Sequence, residues 1–247
     1  MRRVLAALLV VVCAVGVVGY QATRPSSAPS SARVFVPAPG FFTDFSPSFR
    51  TSIADAYYLY MVQYYGEHVK GDQRLDSLAA MLDLITKLSP RFKRAYFFGS
   101  FALLDAREPG VSYDMLKRGF VANPDDWHFP AYLGFFVYTF ALNKDKDRIA
   151  AEWYEKAAAI PGRLAYVPRL AARLHEKGGE RDKAVIMWGQ VYADGDEYSR
   201  QKAVDGLDRI LPQEKEARMK ALAPLADVMP KARLDALVEE LFRVHGE

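Results

Sequence analysis

The fold is decided by residues 170–185, which read LAARLHEKGGERDKAV. Gly178 and Gly179 divide this stretch, and because glycines between helical runs end one helix and prepare the next, we interpret the pair as a turn. Helical periodicity dominates the chain from about residue 46 onward, with apolar residues at three- and four-residue spacing. One such series is Leu75, Leu78, Ala79, Leu82 and Ile85. Convincing alternating strand runs do not appear, so the sequence predicts an all-α fold.

The stops between the helical runs are periodic. They read SPRF at 89–92, NPDD at 123–126 and IPGR at 160–163, and their prolines lie 34 and 37 residues apart. A period near 34 residues is the length of one helix–turn–helix unit in a solenoid, in which each unit buries its apolar faces against its neighbours. We therefore expect a stack of helix pairs.

Residues 170–185 resemble a tetratricopeptide repeat. Ala171 stands where helix A needs close approach, Gly178 and Gly179 make the turn, and Ala184 is the small residue that opens helix B. Trp188 then supplies the large side chain of helix B. The segment AAEWYEKA at 150–157 is similar to the B helix of another repeat, and the Asn-Pro at 123–124 to a repeat ending.

The resemblance covers roughly residues 50–195, or about four repeats. The chain departs from the pattern at Tyr64, a bulky residue at a small position, and in a lengthened turn at 143–147. The family implies a right-handed α-solenoid of about four helix pairs, here at 46–198. Because the last apolar face of a solenoid must be covered, we expect helices near 201–210, 213–223 and 232–244 to cap it within 199–247. A partner-binding role for these helices is an alternative.

The N-terminus predicts export. Arg2 and Arg3 precede an uncharged stretch at 4–23 with an apolar core at 4–18, as in a signal peptide or membrane anchor, which we assign to 1–21. Such arginines stay cytoplasmic, so the body would be periplasmic. An uncleaved inner-membrane anchor, a signal cleaved near Gly19 and a lipoprotein at Cys13 all remain open. The Pro- and Ser-rich segment 22–45 is predicted to be a linker.

Composition excludes several classes of function for the body. The formal charge is +3, and the only charged residues before position 34 are Arg2, Arg3, Arg24 and Arg33, which leaves the remainder at −1. A near-neutral body lacks the basic excess that nucleic-acid binding requires. Cys13 is the only cysteine, so the body has no disulfide, thiolate metal site or cysteine nucleophile.

Catalytic motifs are not evident, and the sequence predicts a non-enzyme without cofactor or metal. Asp125, Asp126 and His128 could suggest a metal, but they follow a helix-ending proline, so capping of the next helix is the better interpretation. The alternatives are an exported enzyme acting on cell-wall glycan, its non-catalytic subunit, or a soluble chaperone of an exported substrate. An enzyme would need a buried carboxyl of raised pKa, for which Glu67 and Glu176 are the nearest candidates.

Aromatic residues are in surplus at 57–65, 96–101 and 135–140, and consecutive aromatics on a helix cannot all serve one core face. In tetratricopeptide repeats helix A lines a concave groove, and the resemblance, aligned on Ser100, Gly134 and Ala171, places the surplus there. The implied partner-binding groove comprises Tyr58, Tyr65, Arg94, Phe97, Phe101, His128, Phe135, Tyr138 and His175. A groove covered by the cap helices or the N-terminal segment is the alternative.

These features together predict a membrane-tethered or exported scaffold that binds a protein or peptide partner in an envelope complex. The resemblance implies complexes of the pilus, secretion or outer-membrane assembly type. The N-terminal helix would supply the contact with the membrane.

Overall fold

The computed structural model describes residues 36–45, 47–141 and 143–243. The predicted leader and most of the predicted linker, including Cys13, lie outside the described residues. Within those ranges the chain forms twelve α-helices and two short 3-10 helices, and no strand. The all-α prediction is confirmed. Across the same ranges, none of the helices is both long and apolar enough to cross a membrane.

The helices are short and follow one another closely along the chain. Their bounds are α1 Pro39–Phe45, α2 Arg50–Val69, α3 Leu78–Leu88, α4 Lys93–Asp105, α5 Pro109–Ala122, α6 His128–Phe140, α7 Lys146–Ala158, α8 Tyr166–Lys177, α9 Arg181–Asp194, α10 Glu197–Ile210, α11 Lys215–Leu222 and α12 Lys231–Arg243. The 3-10 helices are Pro47–Phe49 and Ala223–Asp227.

Consecutive helices from α2 to α10 pack against one another, which gives the stack of helix pairs that the proline period predicts. The pairs are α2 with α3, α4 with α5, α6 with α7, and α8 with α9. We call the first helix of each pair an A helix and the second a B helix. Each pair buries its apolar faces on the next, as expected for a solenoid-like arrangement.

The predicted turn at 178–179 joins α8 to α9. Gly179 has a φ of +79°, a left-handed conformation that glycine adopts without steric cost. A Cβ at Gly178 would lie 3.1 Å from the Cα of Arg148, so the turn also packs directly on α7. Ala171 and Ala184 are completely buried on either side. Small residues are therefore required here for close helix approach.

The buried side chains form two clusters that meet at α6. The N-terminal cluster runs from Ala54 to Phe136, and the C-terminal cluster from Trp127 to Leu241. Phe129 belongs to the first cluster and Ala131, two residues later, to the second. Helix α6 thus serves both cores with different faces.

The described end of the predicted linker differs from an extended spacer. Helix α1 packs against α3, and Val36 and Phe42 pack on the N-terminal core. The rings of Phe42 and Tyr57 lie 6.0 Å apart in an edge-on arrangement. Burial of these apolar side chains stabilises the packed segment, and an extended, solvated spacer would lack that stabilisation.

The C-terminal helices extend the second core beyond the last helix pair. Helix α10 packs on both α8 and α9, and Leu222, Leu225, Leu237 and Leu241 are buried in the C-terminal cluster. A Cβ at Gly189 of α9 would collide with Leu225, so the 3-10 helix lies directly on α9. This segment covers the apolar face that the last pair would otherwise leave in water.

Candidate partner-binding site

A cavity of about 240 Å³ opens among the A helices where the two cores meet, and we call it the aromatic cavity. It is lined by Phe101, Trp127, His128, Ala131, Tyr132, Phe135, Tyr154 and Tyr166. Helices α4, α6, α7 and α8 each contribute a side chain, so the cavity exists only in the assembled stack. A concave site with aromatic walls is a typical place for a ligand or an anchoring side chain.

The walls are built from rings set nearly at right angles. The rings of Phe101 and Tyr132 lie 5.7 Å apart at 79°, and those of Trp127 and Tyr166 lie 6.3 Å apart at 76°. Edge-to-face contacts are favoured because the positive edge of one ring meets the negative face of another. Ring contacts of this kind link successive A helices.

Tyr154 reaches the cavity from the B helix α7, across Gly134 of α6. A Cβ at Gly134 would lie 2.7 Å and 2.8 Å from the Cδ2 and Cε2 atoms of Tyr154, closer than carbon atoms can pack. Tyr154 is only 6 % exposed. Glycine at position 134 is therefore what allows a B-helix side chain to line a cavity of the A-helix layer.

Three tyrosines line the cavity, Tyr132, Tyr154 and Tyr166. Within the described residues none of their hydroxyls has a protein hydrogen-bond partner, and the hydroxyl of Tyr154 is still reached by solvent. Burial, with a smaller effect of Tyr166, raises the pKa of Tyr154 to about 12. Burial and then Tyr132 raise the pKa of Tyr166. The hydroxyls of Tyr154 and Tyr166 are therefore neutral at physiological pH, able both to donate and to accept.

His128 forms part of the rim, and its neighbours hold it in place. Its ring stacks on Trp127 at 3.8 Å, and its Nδ1 lies 2.7 Å from the Oδ1 of Asp126. The backbone N–H of His128 donates to the same oxygen over 3.1 Å, and the Nζ of Lys93 lies 2.8 Å from Oδ2. Asp126 thus accepts a hydrogen bond from the first residue of α6, although the N-cap position itself is Trp127 rather than an aspartate. Across the described ranges, no three His, Cys, Asp or Glu side chains lie close enough together to hold a metal ion.

The structure brings together three of the predicted groove residues. Phe101, His128 and Phe135 all line the aromatic cavity, and Phe101 and Phe135 are 41 % and 38 % exposed. Phe97 lies behind them, half-buried, with its ring 5.0 Å from Tyr132 and 4.5 Å from Phe129. Phe97 therefore supports the wall rather than facing a ligand.

Tyr138 continues the exposed surface one turn beyond Phe135. It is 38 % exposed, and its hydroxyl accepts a hydrogen bond from the Nζ of Lys177 over 3.2 Å. The ammonium groups of Lys146 and Lys177 lie 5.6 Å and 5.4 Å from the centre of its ring. Both distances are typical of cation–π contacts.

Tyr58 and Arg94 lie apart from the cavity, in a shallow depression between α2 and the start of α4. The ring of Tyr58 packs on Phe92 at 4.9 Å. Tyr65 packs on Phe98 at 5.3 Å and donates its hydroxyl to the Asp105 carboxylate. That hydrogen bond, then burial and the charge of Asp105, raise the pKa of Tyr65 to about 12.

The prediction that His175 lines the groove is wrong. Its side chain is completely buried, with Nδ1 2.7 Å from Glu180 and Nε2 3.2 Å from Glu155. These carboxylates come from α7 and from the residue before α9, so the ring points into the B-helix layer. Each ring nitrogen thus lies within hydrogen-bond distance of a carboxylate, which makes burial of a polar side chain tolerable.

Four lining aromatics escaped the sequence prediction: Trp127, Tyr132, Tyr154 and Tyr166. Tyr132 stands three residues before Phe135, a helical spacing that places both on one side of α6. The sequence spacing therefore indicates that Tyr132 lines the same surface as Phe135. Tyr154 belongs to a B helix, which the groove pattern does not include.

Neither carboxyl proposed for an enzymatic acid has the required environment. Glu67 is exposed. Burial acts to raise the pKa of Glu176, but the guanidinium groups of Arg209 and Arg173 outweigh it and hold that pKa below its ordinary value of 4.5. The enzyme alternative therefore loses both of its named candidates for a general acid.

No family model matches the chain, and no curated protein matches it. Among solved structures, the chain is similar to one described as the crystal structure of MamA protein, with 18 % sequence identity and a TM-score of 0.37. The match covers 69 % of this chain and 92 % of the MamA chain.

Proposed function

We propose that the protein is a helical repeat scaffold that binds another protein through its A helices. The aromatic cavity is the observation that carries this proposal. A segment of the partner would lie across α4, α6 and α8 and place one side chain in the cavity. Exposed aromatic side chains around a pocket are the usual centre of such interfaces, because large rigid rings supply contact area at little entropic cost.

The exposed rings are contiguous. Phe101 and Phe135 share the cavity, Phe140 lies 6.3 Å from Phe135, and Tyr138 stands on the same helix. Isolated apolar residues on a surface need no explanation, whereas an exposed apolar patch beside a cavity points to a binding surface. The patch therefore favours a partner over a purely structural role for this face.

The leader and linker support a further part of the proposal, that the scaffold acts outside the cytoplasm. A basic start followed by an apolar stretch is the pattern of an exported or anchored protein. In that setting the scaffold would serve an envelope complex, of the pilus, secretion or outer-membrane assembly type. Protease added to intact spheroplasts should then digest the body; full protection until lysis would refute export.

Site-specific photocrosslinking in the producing cells tests the binding surface. A photoreactive amino acid replaces Phe135 in one variant and Val121 in a matched control, since Val121 is an exposed apolar residue of α5 outside the cavity. We expect a discrete adduct from position 135, its loss when Phe101→Ala is added, and no adduct from position 121. An adduct from position 121 alone would place binding on another face and overturn the proposal.

A further inference from the structure

The composition of the aromatic cavity selects for positive charge. Six of its lining residues are aromatic, and no Asp, Glu, Lys or Arg lines it. The faces of aromatic rings carry negative partial charge, so they attract cations and repel carboxylates. A cavity with these walls therefore disfavours an acidic side chain and accepts an apolar or a cationic one.

The hydroxyls decide between an apolar and a cationic occupant. Tyr154 is more than nine-tenths buried, lines the cavity, and has no hydrogen-bond partner within the described part of the chain. Tyr132 is part-buried and Tyr166 is 43 % exposed, and neither hydroxyl has a hydrogen-bond partner within the described part of the chain. A buried tyrosine hydroxyl normally finds a partner, and an apolar side chain in the cavity would cut Tyr154 off from water without supplying one. The occupant must bring a polar group of its own.

A lysine side chain meets both requirements. Its ammonium group has three N–H donors and no acceptor, which matches three phenol oxygens acting as acceptors. Its four-carbon stem is apolar and packs on aromatic rings. A cavity of about 240 Å³ has room for one long side chain.

We infer that the aromatic cavity binds a lysine side chain of the partner protein. The inference rests on the proposed function and specifies which chemistry that partner must present. In the complex the stem passes between the rings of Phe101 and Phe135 at the mouth, and the ammonium group donates to the hydroxyls of Tyr132, Tyr154 and Tyr166.

Elsewhere in the molecule, aromatic rings already contact ammonium groups. Lys146 and Lys177 both lie over the ring of Tyr138, and Lys156 lies 4.2 Å from the centre of the Trp153 ring. Among the described lysines and arginines, none lines the aromatic cavity, which leaves that position to a lysine from outside.

The test uses small probes on the full-length, 15N-labelled protein in detergent. The probes are n-butylammonium, which copies the lysine side chain, and 1-butanol, a neutral molecule of the same size. The readout is the indole N–H resonance of Trp127, assigned with Trp127→Phe. We expect n-butylammonium to shift this resonance but not those of Trp153 and Trp188, and to bind about thirtyfold more tightly than 1-butanol.

A second variant tests the hydroxyls. Tyr154→Phe keeps the ring over Gly134 and removes one acceptor, so n-butylammonium should bind about tenfold more weakly. Tetramethylammonium has no N–H, and its weaker binding should not change in this variant. Tyr198→Phe is the matched control, because Tyr198 is an exposed residue outside the cavity, and it should alter neither affinity.

The outcomes separate this inference from the proposed function. If 1-butanol binds as tightly as n-butylammonium, or if neither shifts Trp127, the lysine assignment is overturned, while an adduct from position 135 would still support partner binding. Tighter binding of tetramethylammonium than of n-butylammonium would also overturn it, in favour of a quaternary amine. A cation-selective cavity without any adduct from position 135 would instead refute the proposed function.

Discussion

Replacement of Gly134 by alanine should destabilise the protein, although glycine in the middle of a helix is normally unfavourable. Gly134 lies within α6, and its Cβ would stand 2.7 Å from the Cδ2 and 2.8 Å from the Cε2 of Tyr154. The same atom would lie 3.1 Å from the backbone oxygen of Ala150. The ring of Tyr154 can yield only toward the aromatic cavity that it lines, and the helix backbone at Ala150 has less freedom to move.

Two opposing effects set the magnitude of this change. Alanine improves helix propensity over glycine by up to about 1 kcal/mol. One methyl group forced into a filled site costs typically about 1–3 kcal/mol, because side chains leave their rotamers or helices separate. Three short contacts, one of them to backbone, place the Gly134→Ala variant toward the upper end of that range. We expect a net loss of about 1–2 kcal/mol in the free energy of unfolding.

Urea unfolding followed by far-ultraviolet circular dichroism measures this difference. The matched control is Gly66→Ala in α2, where a Cβ would have no neighbour within 4 Å. At Gly66 only helix propensity changes, so the free energy of unfolding of this variant should rise by about 0.5–1 kcal/mol. The Gly134→Ala variant should also bind n-butylammonium more weakly, since Tyr154 must shift. If both alanine variants are stabilised alike, Tyr154 does not lie over Gly134 and our account of the cavity is refuted.

Two further predictions concern ion pairs outside the cavity. Arg218 is almost completely buried, and its Nη2 lies 2.5 Å from the Asp208 carboxylate. The Arg218→Ala variant should therefore lose about 3 kcal/mol in the free energy of unfolding, measured by the same urea assay. A loss below about 1 kcal/mol, the usual value of an exposed ion pair, would contradict this prediction. Because Arg209 and Arg173 hold the pKa of Glu176 below 4.5, this group's contribution to stability is fully present above pH 4.5 and is lost as the pH falls through its lower folded pKa. Wild type should therefore lose stability more steeply below pH 4.5 than Glu176→Gln, and parallel pH profiles would show that the pair makes no such contribution.

Much of the fold follows from local features of the sequence. The period of the prolines and the glycine pair at 178–179 predict the helix pairs and the turn, because both act through backbone conformation within a few residues. The helix at Pro39–Phe45 was not predicted, since its formation depends on contact with α3 far along the chain. Local composition there indicates a linker, and tertiary burial of Phe42 decides otherwise.

The site was predicted less completely than the fold. Phe101, His128 and Phe135 follow from the A-helix pattern, but His175 occupies an equivalent position and is buried. The difference comes from Glu155 and Glu180, whose carboxylates offer that ring two partners in the B-helix layer. A pattern that assigns one face per helix contains no information about such partners, because they belong to other helices.

The aromatic cavity was also incompletely predicted, because its walls come from several helices. Its space depends on Ala131 and Gly134, two small residues about one turn apart on α6, whereas one of its walls is Tyr154 of α7. Larger residues at 131 would fill the space and add dispersion contacts, which close packing normally favours. The open volume is therefore a cost to the isolated protein. A ligand that fills this volume and donates hydrogen bonds to the tyrosine hydroxyls removes that cost and replaces their contacts with water, which is the physical reason to assign binding to this cavity rather than to the larger but shallower depression beside Tyr58.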